Sequence, residues 1–340
     1  MEVRRIAVDA MGGDNAPGIN VEGALQAVRT MPGRYEIHLV GDERHIRSEI
    51  NRLGAGNLPL IPVHAPDVIS MSESPTEAVR KKPQSSIAVA IRLVREKIVE
   101  GVVSAGNTGA FFAAALLNLG KIEGVKRPTI GTFIPGKNKV GFLLDVGANP
   151  NCKPHHLLQF GIMGSIFIEL MAGIKNPSVG LLSIGEEEGK GNELVVDAYR
   201  LFKESHLNFY GNVEGRDILN GTTDIVVCDG FVGNIILKHT ESMIGIFKRK
   251  VREKMGYNPF AWIGAGMLIP VLKKLKKEFD YQEYGGVPLL GVNGTVIICH
   301  GSSSPRAIMR AIMEADRMIT KRIDEQIQES ISLKYETHVE

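Results

Sequence analysis

The chain has 340 residues, 44% of them hydrophobic, which is enough for the core of one large α/β domain or of two smaller lobes. Forty basic and 38 acidic residues leave a formal charge of +2, so no global field marks a nucleic-acid-binding protein. Cys152, Cys228 and Cys299 form no CxxC pair, which argues against a disulfide framework or a structural zinc site. No secretory signal or membrane-spanning run of ~18 apolar residues is found, so we expect a cytoplasmic protein.

Short runs rich in valine, isoleucine and leucine alternate with helical stretches along the chain. This pattern is typical of a mostly parallel sheet that is covered by helices on both faces. The predicted strands are residues 5–10, 35–41, 101–105, 140–146, 179–184, 224–228 and 295–300. We interpret residues 1–330 as a single bilobed α/β catalytic unit and residues 331–340 as a polar tail. Ligands in such sheets bind at the carboxyl ends of strands, so the turns there are the candidate sites.

The turn SAGNTGA follows the third predicted strand and precedes an apolar helix. Gly106 and Gly109 would let the backbone approach a ligand closely. Ser104, Asn107 and Thr108 offer polar groups beside the start of the helix, where an anion is stabilised. A plain connection between strand and helix is the alternative interpretation.

The turn HGSSSPR near the carboxyl end repeats this arrangement. His300 ends the predicted strand, and Arg306 lies in the first turn of the next helix. Ser304 is the predicted N-cap and Pro305 the first residue of a helix that runs to about Gln328. Two such turns favour a phosphate or another oxyanion as the ligand, although each could be a capped helix without one.

Other polar turns follow the remaining strands. Lys190, in the loop IGEEEGKGNE, could neutralise a phosphate or belong to an ordinary solvated charge cluster. Arg216 follows the turn GNVEG, and Asn149, Asn234 and Asn293 lie in further glycine-containing turns. Asparagine next to glycine usually marks only a tight turn, so the unusual feature is the number of these turns.

Several well-known motifs are not present. GTFIPGKN has Asn138 where a P-loop needs serine or threonine, and we predict a hairpin turn there. The glycines of AMGGDNAPG lack the dinucleotide-binding spacing, and there is no GxSxG motif. His155 and His156 are adjacent and make a poor metal-binding pair. We predict no metal and no cofactor.

Taken in order, the motifs DAMGGD, HAPDVISMSESPTEAVRKKPQSS, SAGNTGA, DVGAN, LLSIGEEEGKG, NFYGNVEGRD, DGFVGN and YGGVPLLGVNGTVIICHGSS resemble those of the bacterial acyl-acyl-carrier-protein:phosphate acyltransferases. The similarity covers roughly residues 3–325. It implies a three-layer α/β/α sandwich like those of isopropylmalate dehydrogenase and phosphotransacetylase. It also implies a homodimer at the inner face of the membrane. The implied partners are acyl carrier protein, inorganic phosphate and a membrane acyl phosphate:glycerol-3-phosphate acyltransferase.

The implied reaction is attack of phosphate on a long-chain acyl thioester, giving acyl phosphate for phosphatidic acid and phospholipid synthesis. Because phosphate is the nucleophile, the protein needs positioning and oxyanion donors rather than an activated serine or cysteine. The predicted catalytic residues are Lys190, His300 and Asn234. The predicted substrate-binding residues are Ser104, Gly106, Asn107, Thr108, Asn149, Arg216 and Asn293.

Two other functions remain open at this stage. A metal- and NAD-dependent decarboxylating dehydrogenase of similar fold would need clustered aspartates, and only Asp224 and Asp229 lie near one strand. A non-enzymatic scaffold for lipid synthesis would leave the polar turns without a purpose.

Residues 248–277 combine an apolar centre with basic flanks. The apolar run 259–272, which contains Phe260, Trp262 and Leu268, is too short to span a bilayer. This composition is typical of an interfacial membrane anchor, and we predict a protruding helical hairpin at about 240–282. A dimer interface or a buried helix pair is the alternative. Two basic clusters are candidate docking sites for the acidic carrier protein: Arg80, Lys81 and Lys82, and Lys121, Lys126 and Arg127.

Overall fold

The computed structural model describes residues 2–137, 139–256 and 285–336. In the amino-terminal part, the elements are β1 (Arg4–Asp9), α1 (Gly18–Thr30), β2 (Tyr35–Gly41), α2 (Glu43–Arg52), β3 (Leu60–His64), α3 (Pro75–Lys81), α4 (Ser86–Arg95), β4 (Gly101–Ser104) and α5 (Thr108–Asn118). The middle part contains β5 (Thr129–Pro135), β6 (Val140–Leu144), α6 (Pro154–Ala172), β7 (Val179–Leu182), α7 (Glu193–Glu204), β8 (Phe209–Val213), α8 (Gly215–Asn220), β9 (Ile225–Val227) and α9 (Gly230–Met255). The carboxyl-terminal part contains β10 (Val287–Leu290), β11 (Thr295–Ile298), α10 (Pro305–Lys321) and α11 (Ile323–Glu336).

All of these strands form one 11-stranded sheet in the order β3-β2-β1-β4-β11-β10-β5-β6-β9-β7-β8. The first five in this order are mutually parallel, and so are the last four. The antiparallel pairings β11–β10, β10–β5 and β5–β6 separate the two groups, which therefore run in opposite directions. In order and direction, β11 and β4 on one side of the β10–β5 pair correspond to β6 and β9 on the other side, and β3 has no counterpart.

Helices cover both faces of the sheet, because side chains alternate between the faces along each strand. One apolar core contains Ile6 and Val8 of β1 and packs against α1, α2, α6, α7, α10 and α11. The other contains Ala7 of the same strand and packs against α3, α4, α5, α8 and α9. The predicted three-layer α/β/α sandwich is confirmed.

The chain completes the first parallel group only at its carboxyl end, where β11 and α10 return beside β4 and β1. Asp316 on α10 holds this connection. Its carboxylate accepts hydrogen bonds from Arg34 Nε at 2.9 Å and Nη2 at 2.5 Å, and from the Tyr35 hydroxyl at 3.2 Å. The Arg4 guanidinium lies 3.5 Å from the same carboxylate. The buried carboxylate of Asp316 thus connects helix α10 to the beginnings of strands β1 and β2.

All seven predicted strands are confirmed, and so is the hairpin between β5 and β6. Ser304 caps α10 as predicted, with its Oγ accepting from Ala307 N at 3.3 Å. That helix ends at Lys321 rather than at about Gln328, because Arg322 has the left-handed φ of 53°. Helix α11 continues into the expected polar tail as far as Glu336, and Ile331 near the start of this tail is buried in the core.

The predicted membrane-contacting residues Phe260, Trp262 and Leu268 lie outside the described residues, as does most of the predicted hairpin. Its expected start at about residue 240 falls within the continuous helix α9. In the described part of the chain, no helix is both long enough and apolar enough to cross a membrane.

Candidate active site

A cavity of about 480 Å³ lies on one face of the sheet, between helices α5 and α9. Its apolar floor comes from β5 and β11 and includes Ile130, Ile134 and Ile298, which are each at most 4% exposed. Phe112 on α5 and Leu237 on α9 form opposite walls. The described lining is therefore mainly apolar, and polar groups are confined to a few positions.

The topology explains the position of this cavity. Tight hairpins join β5 to β6 and β10 to β11, so no described helix follows β5 or β10 directly. The helices that follow β6 and β11 pack on the opposite face of the sheet. Of the helices that the structure describes, α5 and α9, which follow β4 and β9, border the cavity. The cavity thus lies where the two parallel groups of strands meet.

Helix α5 begins at one end of the cavity. Its N-cap, Asn107, accepts the Ala110 N–H at 3.0 Å through Oδ1. Thr108 and Gly109 line the cavity, and their main-chain N–H groups donate to no atom among the described residues. Unpaired N–H groups at a helix start, together with the helix dipole, stabilise a bound anion. Because the cap Asn107 carries no charge, the start of α5 can still bind an anion.

His300 lies near this helix start, because β11 pairs with β4 and Ile298 lies opposite Ser104. Its Nδ1 accepts the main-chain N–H of Ser302 at 3.1 Å and lies 2.8 Å from the Ser302 hydroxyl. A main-chain N–H can only donate, so the neutral imidazole carries its proton on Nε2. The ring can therefore donate a hydrogen bond through Nε2–H.

Helix α9 also begins with two glycines three residues apart, Gly230 and Gly233, but both follow the cap, whereas Gly106 and Gly109 lie on either side of the cap Asn107. Its cap is different. The Asp229 carboxylate accepts the N–H groups of Phe231 at 2.9 Å and of Val232 at 3.0 Å. A carboxylate at this position already neutralises the helix start and repels a second anion. Among the described helices that border the cavity, α5 is therefore the one whose amino terminus favours an anion.

Comparison with known proteins agrees with this arrangement. The family described as fatty acid synthesis protein matches residues 4–326. A phosphate acyltransferase from Pelotomaculum thermopropionicum is 50% identical over 96% of this chain and 95% of its own length. A second, from Heliobacterium modesticaldum, is 49% identical over 98% of this chain and 99% of its own length.

This chain belongs to the phosphate acyltransferase family. It is an acyltransferase. Its fold is also that of a phosphotransacetylase from Streptococcus pyogenes, with a TM-score of 0.62 over 94% of each chain and 18% sequence identity. The EutD phosphotransacetylase from Staphylococcus aureus gives 0.56, with 16% identity over 93% of this chain and 94% of the other. At these identities the likeness shows the fold alone.

Among the predicted site residues of this acyltransferase, Thr108, Asn234 and His300 line the cavity. Asn234 lies on α9, and a Cβ atom at Gly147 would lie 3.5 Å from its Cβ. The Asn234 side chain makes no hydrogen bond within the described part of the chain. These three residues come from different strand-end turns, and only the fold brings them to one cavity.

Ser104 and Gly106 belong to a buried network behind the cavity. The Ser104 hydroxyl donates to Asp9 at 2.7 Å and accepts the Gly106 N–H at 3.0 Å. Burial raises the pKa of Asp9, while the hydrogen bonds from Ser104 and Ser86 act in the opposite direction. A Cβ atom at Gly106 would lie 3.0 Å from Asp9 Oδ2. Close contacts within the protein itself are thus enough to explain why position 106 is a glycine.

Asn107 is also engaged by the protein itself. Its Nδ2 donates to the carbonyl oxygens of Ser70, Met71 and Glu73 at 3.1 to 3.3 Å. Asn107 therefore fixes the loop before α3 against the start of α5. Gly109 has a similar role, since a Cβ atom there would lie 2.6 Å from Cγ of Pro75.

Asn149 and Asn293 have structural partners as well. Asn149 Nδ2 donates to Asp145 Oδ2 and to the Pro128 carbonyl, both at 2.7 Å. Burial raises the pKa of Asp145, and the hydrogen bonds from Ala148 N and the Asn149 side chain act against this shift. Asn293 donates to the carbonyls of two residues in the loop after α5. Neither asparagine lines the cavity.

Lys190 and Arg216 follow β7 and β8, on the far side of β9 from the cavity, and neither residue lines it. Arg216 forms exposed ion pairs with Glu186 and Glu214, each at 3.2 Å. The Lys190 backbone closes its loop, with its carbonyl accepting from Ser183 Oγ at 2.9 Å. The predicted role of these cations in phosphate binding therefore has no support from the geometry of the cavity.

Proposed function

We propose that this acyltransferase transfers a long-chain fatty acyl group from an acyl carrier protein thioester to inorganic phosphate. The product would be acyl phosphate, for phosphatidic acid and phospholipid synthesis. One observation carries this proposal. A mainly apolar cavity ends at a helix start with unpaired N–H groups, while the equivalent helix start on the opposite wall is closed to anions by Asp229. An apolar chain and one anion are the substrates that such a cavity fits.

Phosphate binds at the start of α5 in this proposal. The N–H groups of Thr108 and Gly109 and the Thr108 hydroxyl provide donors, and the helix dipole favours the negative charge. His300 lies at the same end of the cavity and donates through Nε2–H. Phosphate is thereby held where one of its oxygens can face a thioester carbonyl.

The reaction needs no covalent enzyme intermediate. An oxygen of hydrogen phosphate forms a bond to the thioester carbon, and the carbonyl electron pair moves to its oxygen. Collapse of this oxyanion breaks the carbon–sulfur bond, and the departing thiolate takes the proton that phosphate carried. The protein contributes positioning and preorganised donors to the oxyanion, among which we include His300 and Asn234.

The remaining partners follow from the family. Acyl carrier protein, which has an acidic surface, would dock through basic side chains. Within the first basic cluster, Lys81 and Lys82 are paired with Glu77 at 2.6 Å and Glu73 at 2.8 Å, whereas Arg80 is exposed. We therefore place Arg80 first among the docking residues of this cluster. Loss of salt-dependent affinity in Arg80→Glu would support this assignment.

We also include in the proposal a homodimer and a peripheral location at the inner membrane face, beside a membrane acyl phosphate:glycerol-3-phosphate acyltransferase. The apolar and basic composition of residues 248–277 supports the membrane contact. Co-sedimentation with anionic vesicles should weaken in a Trp262→Glu, Leu268→Glu double variant. Unchanged binding would remove the anchor, and loss of the dimer would assign the segment to an interface.

The function is tested with purified protein, palmitoyl-acyl carrier protein and inorganic phosphate, without added nucleotide. Acyl phosphate is trapped with hydroxylamine as the hydroxamate, and a reaction without phosphate is the control. We expect phosphate-dependent hydroxamate that persists in the presence of a chelator. Thioester consumption without hydroxamate, or an absolute need for a nicotinamide cofactor, would contradict the proposal.

A further inference from the structure

Thr132 is a polar residue in the apolar floor of the cavity. It lies in the middle of β5 and is 5% exposed. Its side chain is on the same face as Ile130 and Ile134, because side chains alternate along a strand, and all three residues line the cavity. Across the hairpin it pairs with Leu143 of β6. Its surroundings on the sheet are thus apolar.

The Thr132 hydroxyl has no hydrogen-bond partner among the described residues. Thr223, which is also buried, shows the usual arrangement, with its hydroxyl donating to the Ile225 carbonyl at 2.9 Å. An unpaired threonine hydroxyl does not by itself indicate a ligand, because the Thr129 hydroxyl is fully enclosed without a partner and does not line the cavity. The Thr132 hydroxyl differs from it because it borders the cavity and is accessible from there. Valine would give the fold the same β-branched shape, so the Thr132 hydroxyl points to a ligand.

The substrates offer few groups for this hydroxyl. Phosphate is assigned to the start of α5, and the acyl chain has no hydrogen-bonding atoms. The thioester carbonyl is the remaining acceptor at the reacting centre, and it gains negative charge during the reaction. A neutral donor in an apolar surrounding stabilises such charge strongly, because little water competes with it.

We infer that Thr132 is a further catalytic residue, whose hydroxyl donates a hydrogen bond to the carbonyl oxygen of the acyl thioester as it becomes the oxyanion. This inference rests on the proposed function. In this arrangement the thioester lies over β5, phosphate approaches from the α5 end, and the acyl chain extends along the apolar floor.

The test compares Thr132→Val, which keeps the shape and removes the hydroxyl, with Thr132→Ser, which keeps the hydroxyl and removes the methyl group. Thr129→Val is the matched control, because the Thr129 hydroxyl also has no partner among the described residues but is fully enclosed and does not line the cavity. Rates are measured with palmitoyl-acyl carrier protein and phosphate by hydroxamate trapping. Thermal unfolding of each variant is followed in parallel.

We expect kcat of Thr132→Val to fall about 100-fold, the usual effect of removing an oxyanion donor, with little change in either KM. Its Tm should be close to that of the parent, because valine keeps the shape and the hydroxyl makes no hydrogen bond within the described residues. Thr132→Ser should keep most of the parental kcat and have a lower Tm. Thr129→Val should keep the parental kcat.

An unchanged kcat in Thr132→Val would overturn the inference. A rise in the KM for the thioester substrate alone would also overturn it, because the hydroxyl would then hold the carrier arm instead of the oxyanion. If the parent itself forms no acyl phosphate, the proposed function fails. The Tm comparison then still shows whether the hydroxyl serves the fold, and a destabilised Thr132→Val would remove its assignment to a ligand.

Discussion

Hydrogen-bond partners distinguish residues that can bind a substrate from residues that hold the protein together. Ser104, Asn107 and Asn149 each use their side chains on atoms of the chain itself. Thr108 and Asn234 reach the same cavity and keep their polar groups unpaired within the described part of the chain. We therefore expect replacement of one of the first three to reduce activity through the fold, and replacement of Thr108 or Asn234 to reduce it through the proposed substrate contact.

His156 links the stability of this protein to pH. Its Nδ1 accepts the Lys153 N–H at 3.0 Å, and burial, followed by the neighbouring His155 and Arg127, lowers its pKa from 6.5 to about 4. Between these values the unfolded chain binds a proton that the folded chain does not, so acidification destabilises the fold. We expect the denaturant midpoint to fall from pH 7 to pH 5.

The variant for this test is His156→Asn, whose amide oxygen can replace Nδ1 as the acceptor and does not titrate. Its denaturant midpoint should fall less over the same pH range, as measured by equilibrium unfolding. Parallel pH dependence in the parent and the variant would show that other groups control acid stability.

Helices α5 and α9, which border the cavity, have caps of different charge. Asn107 is neutral and Asp229 is acidic, and for this reason we propose the start of α5 as the phosphate-binding one. Thr108 is the first residue of α5, a position where proline is tolerated because the N–H has no intrahelical partner. Asn107 already has the extended ψ of 108° that a residue before proline requires.

Thr108→Pro should therefore fold and lose one N–H donor to phosphate. We expect its apparent KM for phosphate to be about tenfold or more above that of Thr108→Ala, which lacks the hydroxyl but keeps the N–H. Steady-state kinetics with varied phosphate and saturating thioester measure this difference. Equal KM values would place the phosphate elsewhere in the cavity.

Along the chain, the second parallel group of strands comes before β11, which is the last strand of the first group. Strand β11 and helix α10 therefore lie beside the amino-terminal strands β4 and β1. Buried Asp316 and partly buried Arg34 form the ion pair that holds this arrangement. Asp316→Ala should lower the free energy of unfolding by about 1.5 to 3 kcal/mol, because it removes the charge-assisted hydrogen bonds from Arg34, whose guanidinium keeps its bonds to the Glu2 carbonyl and the Thr320 hydroxyl. Chemical denaturation measures the loss.

Asp197→Ala is the matched control for that measurement. Asp197 pairs with Arg200 at 3.2 Å, but both side chains are largely exposed. Removing it should cost about 0 to 1 kcal/mol, the usual value of a surface ion pair. Similar losses in the two variants would mean that Asp316 does not hold the chain ends together.

Four strands escaped prediction, each for an identifiable reason. β3 and β8 are the edges of the sheet, and they contain Pro62 and the polar Asn212. β5 and β10 contain proline or glycine, and Pro288 lies in a central strand, where it is normally avoided. Thr132 was missed with β5, although the alternation of that strand would have placed it beside Ile130 and Ile134 on one face.

The sequence by itself determined the features that depend on neighbouring residues. Runs of β-branched side chains predicted seven strands, the proline and serine before α10 predicted its start, and the ordered motifs predicted the fold class and the family. Each of these signals comes from residues that are close together in the sequence, or from several such groups in a fixed order. Such signals can be recognised in one sequence without a structure.

Only the tertiary structure decided how the polar turns are used. The reversal of the second parallel group depends on pairings between distant strands, and it opens the cavity in which Thr108, Asn234 and His300 meet. The same fold places Lys190 and Arg216 outside that cavity and supplies partners for Asn107 and Asn149. A residue type shows which hydrogen bonds a side chain can make, but its spatial neighbours determine which of them remain for a substrate.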